Sequence, residues 1–95
     1  MSRRLLKKIR NAVRTGNYDL THHAIDEMVE DGLGIFDIEQ AILSGAIIKT
    51  EIEDSRGLKH TIIGMAEDHE TEVGIVGRFT ETNTYLIITV YEITE

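Results

Sequence analysis

The imidazoles of this 95-residue sequence, on His22, His23, His60 and His69, are the side chains suited to moving a proton near neutral pH, because an unperturbed imidazole changes charge between about pH 5 and 8. His23 stands at the start of a helix-like run, and His60 lies in an alternating run further on. Brought to one cleft, they form the acid and base that cleave a phosphodiester by 2′-OH attack. One takes the hydroxyl proton and the other protonates the leaving 5′-oxygen. The phosphorane needs a cation, and Arg78, the only basic residue after Lys59, is the natural phosphate clamp. Tyr91 or Tyr85 can stack a base or position a water. Each residue also has a plainer reading: His23 as an imidazole hydrogen-bonded at a helix end, His60 as cross-strand packing, and Arg78 as half of a surface ion pair. His22 and His69 read as solvated.

Other chemistries are less well supplied. His23 with Asp26 or Glu27, at i+3 or i+4, can present two metal ligands on one helix face, with His60 as a third. The His-Glu-x-x-His order that would make such a site specific is missing, as are Gly-x-Ser-x-Gly and a Walker-type phosphate loop. We therefore expect no metal and no cofactor, and any RNA cleavage to be metal-independent. The sequence has no cysteine, which excludes a thiol nucleophile, a thiolate metal site and disulfides. Residues 1–14 are charged with no long apolar region, so neither a signal peptide nor a membrane span is expected, and a cytoplasmic location is.

The elements that must position these groups are readable from period and punctuation. Residues 2–15 place Leu5, Ile9, Ala12 and Val13 on one side of a helix, with bases opposite. Thr21 is suited to cap a second helix, in which Ala24, Ile25, Met28 and Val29 form an apolar face and Gly32 suits the left-handed stop. A third helix follows Gly34, with Asp37 near its N-terminus and Ile35, Ile38, Ala41 and Ile42 at helical spacing, and Gly45 ends it. From Ala46 the period becomes extended. Four strands are expected at 46–53, 58–66, 71–79 and 84–93, separated by turn chemistry at 54–57, 67–70 and 80–83. Connections this short make neighbours antiparallel. The expectation is one α+β domain over 1–95, comprising a basic helix at 1–16, a helical segment at 18–45 and a four-stranded antiparallel sheet at 46–95, with the helices on one face. Val73, Ile75, Phe79, Leu86, Ile88 and Val90 are assigned to the core face, and Arg78, Thr89 and Tyr91 to the opposite one. The glycines at 64, 74 and 77 mark a bulge or a close approach to the backbone.

Charge is unevenly spread. Arg3, Arg4, Lys7, Lys8, Arg10 and Arg14 precede the first acid, Asp19. From residue 15 onward, four bases stand against all 17 acids, leaving −13 there within a total of −7. Most of this surface repels a polyanion, and the first helix can attract one.

Thr21-His22-His23-Ala24, Met28, Gly32-Leu33, Asp37-Ile38 and Leu43-Ser44-Gly45, followed by Leu58-Lys59-His60-Thr61-Ile62-Ile63 and Ile87-Ile88-Thr89-Val90-Tyr91, resemble the DUF4258 family in order and spacing. The resemblance covers about residues 18 to 92. It implies a compact domain similar to RelE- and barnase-like ribonucleases, suspected as a toxin, with RNA as target and a cognate antitoxin protein as partner. His23 and His60 correspond to the family's helix-start and strand histidines. Glu27 and Asp31 stand where the family pattern carries arginines, so two cations have become anions four residues apart on one helix face. That reversal weakens RNA cleavage and favours the alternative, a non-catalytic interaction or regulatory module with an acidic face. A homodimer by edge-strand pairing is also expected. Lys49, Glu51 and Glu53 blunt the strand at 46–53, so the strand at 84–93 is the expected edge.

Overall fold

The structure is a computed structural model and describes residues 3–52 and 57–94. The expected turn at 54–57 therefore lies outside the described residues except for Gly57. Three helices, α1 (Arg3–Arg14), α2 (His22–Asp31) and α3 (Ile35–Ser44), combine with five strands, β1 (Tyr18–Leu20), β2 (Ala46–Ile52), β3 (Leu58–Met65), β4 (Glu72–Phe79) and β5 (Tyr85–Ile93). The α+β class is as expected, but the sheet is not four-stranded and antiparallel. Its order is β1-β5-β4-β3-β2, and β1 pairs parallel to β5, with Tyr18 opposite Tyr85 and Leu20 opposite Ile87. Residues 18–20 thus leave the helical segment and join the sheet. Their three-residue pattern is too short to carry a period of its own.

The helices form where caps and apolar spacing agree. Thr21 is extended, and its hydroxyl accepts from the Ala24 N–H. Gly32 is left-handed with φ 68°, and its N–H reaches back to carbonyls of the last turn. Gly34 opens α3, where the Asp37 carboxylate accepts from the Gly34 N–H at 2.8 Å. Ile9, Ala12 and Val13 of α1, Ala24 and Met28 of α2, and Ile38, Ala41 and Ile42 of α3 are buried together with Ile62, Val73, Ile75, Tyr85, Ile87 and Val90. Full burial of one such aliphatic side chain stabilises by about 1.5–3 kcal/mol. A Cβ on Gly64 would strike the backbone of Ala41, so glycine there lets α3 lie directly on β3. The phenol of Tyr18 donates to Glu39 on α3 at 2.5 Å. Burial and the neighbouring carboxylate push that phenol up to about 12.

The core face of β5 differs from the alternating assignment. Val76 pairs with Thr89 and Gly77 with Ile87, leaving Ile88 as an extra residue, a bulge. The core positions are consequently Tyr85, Ile87 and Val90, while Leu86 and Ile88 are only half-buried. One inserted residue changes the phase of the strand.

Nor is β5 an edge. It lies between β1 and β4, and α2 runs along the part that β1 does not reach. The edge strands among the described residues are the three-residue β1 and the seven-residue β2.

Candidate functional site

The helix carrying His23 is fastened to β5 by its own polar side chains. Thr21 Oγ1 donates to the Ile88 carbonyl at 3.0 Å, Glu27 Oε1 accepts from the Val90 N–H at 2.9 Å, and Asp31 Oδ2 accepts from the Glu92 N–H at 3.0 Å. These carboxylates serve sheet N–H groups that β1 is too short to pair. Glu27 and Asp31 therefore act here as caps of a strand edge, and their four-residue spacing lets both reach it. The imidazole of His23 is 67% exposed and lies 3.4 Å from Glu27 Oε1.

His60 occupies a different environment. It is 3% exposed, on the helix-covered face of β3, opposite Gly77. Its ring stacks with that of Tyr85, centroids 6.3 Å apart and planes 13° from parallel. Phe79 meets Tyr85 edge-on at 5.0 Å, and Lys8 of α1 sits 4.4 Å above the Phe79 ring. Glycine at 77 makes room for this stack, since a Cβ there would lie 2.6 Å from Tyr85 Cε2. Burial lowers the pKa of His60 and raises that of the Tyr85 phenol. His60 Nδ1 and the Tyr85 hydroxyl are buried without a hydrogen-bond partner among the described residues.

The structure does not bring the two histidines to one cleft. β3 is two strand spacings from β5, about 10 Å, and α2 lies along the far side of β5 from β4 and β3. His23 turns to Glu27, while His60 turns into the core. Arg78 follows Gly77 on β4, so it projects from the face opposite His60. Tyr91 shares that outer face and lies over Gly74, where a Cβ would meet its ring. Gly74 and Arg78 are four residues apart on β4, about 13 Å along the strand. Among the described residues no three His, Asp or Glu side chains gather as a metal site.

A different group does converge. Arg3, Lys7, Arg10 and Arg14, together with Leu6, line a groove of about 420 Å³ along α1. Their spacing of four, three and four residues stacks them on one helix face. Arg10 is partly committed to the fold, donating through Nη2 to the Gly45 carbonyl at 2.7 Å at the end of α3. Arg3, Lys7 and Arg14 are exposed, and α1 forms no ion pair among the described residues. Sequence spacing placed these bases together opposite the apolar stripe, but they were not singled out as a site from the sequence.

No described helix is long and apolar enough to cross a membrane. Neither a curated protein nor a solved structure matches the chain. Residues 20–92 match a family described as "Domain of unknown function (DUF4258)". That span runs from the last residue of β1 to the penultimate residue of β5 and leaves α1 outside it. The chain belongs to the DUF4258 family.

Proposed function

We propose that this domain is a non-catalytic binding module that holds a single-stranded RNA backbone in the cationic groove of α1. The observation that carries the reading is the convergence of Arg3, Lys7, Arg10 and Arg14 on one groove, while His23 and His60 lie in separate surroundings. Among the described residues the groove is lined by cations and one leucine, with no aromatic for base stacking and no acid. Such a lining favours phosphates over bases, hence binding with little sequence preference. The acidic remainder repels the strand everywhere else, which confines it to α1.

Fluorescence anisotropy of a labelled single-stranded RNA, with the same samples run on a denaturing gel, tests this. Binding should weaken with salt, with a log–log slope no steeper than about −3, because at most four cations each neutralise one phosphate. Replacing Arg3, Lys7 and Arg14 together by glutamate should weaken binding by about tenfold or more, with the RNA intact throughout. RNA cleavage that disappears in His23→Ala or His60→Ala would restore the ribonuclease reading. Absence of salt-sensitive binding would remove the present one.

A further inference from the structure

The two edges of the sheet are treated differently. On the β1 side the edge strand is only three residues long, and Glu27 and Asp31 cap N–H groups of β5 beyond it. The β2 side has no such cover among the described residues, although Ile48 is 57% exposed and Ile52 82% exposed there. An open edge with bare isoleucines invites strand addition. We propose that the occupant is a second copy of this chain, pairing antiparallel through β2 with Thr50 facing Thr50 of the other copy, so that the two sheets become continuous.

The sequence of β2, Ala-Ile-Ile-Lys-Thr-Glu-Ile, selects that register. A two-fold axis at Thr50 sets Lys49 against Glu51 of the second copy. Side chains alternate from Lys49 to Ile52, so both lysine–glutamate pairs lie on one face and Thr50 on the other, while Ile48 is the extra residue of a bulge that ends the regular register there. Moving the axis to Lys49 sets lysine against lysine, and moving it to Glu51 sets glutamate against glutamate. Like charges directly opposite one another are destabilising. Lys49 and Glu51 already approach to 3.6 Å within one strand, so pairing extends this contact into a ladder of four charges. It also lets two acidic chains, each at −7, meet along a locally neutral strip. The groove on α1 takes no part, so this proposal and the RNA reading stand or fall separately.

Sedimentation of the full chain up to millimolar concentration tests the proposal, with Lys49→Glu, Glu51→Lys and the double swap. Each single change places like charges opposite at two symmetric positions and should weaken the dimer by about tenfold or more. The double swap recreates opposite charges and should restore it. Because the sequence has no cysteine, Thr50→Cys provides a second readout. Antiparallel partners place their Cα atoms about 4.5–5.5 Å apart, within disulfide range, so oxidation should give a covalent dimer. Thr82→Cys, in the turn before β5, should not. A native chain that stays monomeric, a dimer indifferent to the charge swaps, or equal cross-linking at positions 50 and 82 would overturn the proposal.

Discussion

His60 shows how a residue chosen for its chemistry can be held for another purpose. Its imidazole is buried against Tyr85, and burial lowers its pKa below the ordinary 6.5. The unfolded chain therefore binds a proton that the folded chain resists, and stability rises with pH until the unfolded value near 6.5 is passed. On acidification this contribution is lost as the pH falls through that value. Urea midpoints measured from pH 7.5 down to pH 5 should thus fall more steeply for the native chain than for His60→Leu, which has nothing to protonate. Equal slopes would show that the imidazole is hydrated in the folded state. The alternation of β3 places Leu58, His60, Ile62 and Gly64 on one face, but it did not say that this face turns inward. What lies above it was not readable, since Tyr85 reaches that place only through a bulge three residues further along its own strand.

At the scale of elements, α2 and β5 form a unit. A threonine cap at one end, a glycine stop at the other and apolar spacing between them made the helix legible from Thr21 to Gly32. Its neighbour was not legible, because three residues, the half-buried Tyr18 and Leu20 with the exposed Asp19 between them, are too few to carry a period, yet they displace β5 from the edge. The same blind spot affected Glu27 and Asp31, which looked like a reversed phosphate surface and prove to be acceptors for the N–H groups of Val90 and Glu92. Removing either carboxylate leaves a strand N–H without its partner, at a cost of about 1–3 kcal/mol where the group stays desolvated. Glu27→Ala should fall within that range by urea denaturation, and Asp31→Ala nearer its lower end because its contact is exposed. Amide exchange should quicken at Val90 in the first variant and at Glu92 in the second. Arginine at both positions should destabilise α2 against β5 without producing RNA cleavage, and nuclease activity in that double variant would contradict the capping role.

At the scale of the whole molecule, charge is segregated, with a cationic α1 packed against a body that carries −13 from residue 15 onward. This segregation is legible in the order of charged residues along the chain, because no acid precedes Asp19. Repulsion among the acids outweighs the few pairs that relieve it, so raising salt from low to physiological strength and beyond should move the urea midpoint upward, by less than about 1 kcal/mol in stability. A fall in the midpoint would mean that attraction between α1 and the body dominates. The pairing of Tyr18–Leu20 with Tyr85–Ile87 also sets the order in which a nascent polypeptide can mature. While the last strand is still inside the ribosome, the first strand has no neighbour, and the carboxylates at 27 and 31 have nothing to hold. Closing so wide a loop is slow and comes late, so the early helices must wait for the final residues before either half of the protein has a finished interior.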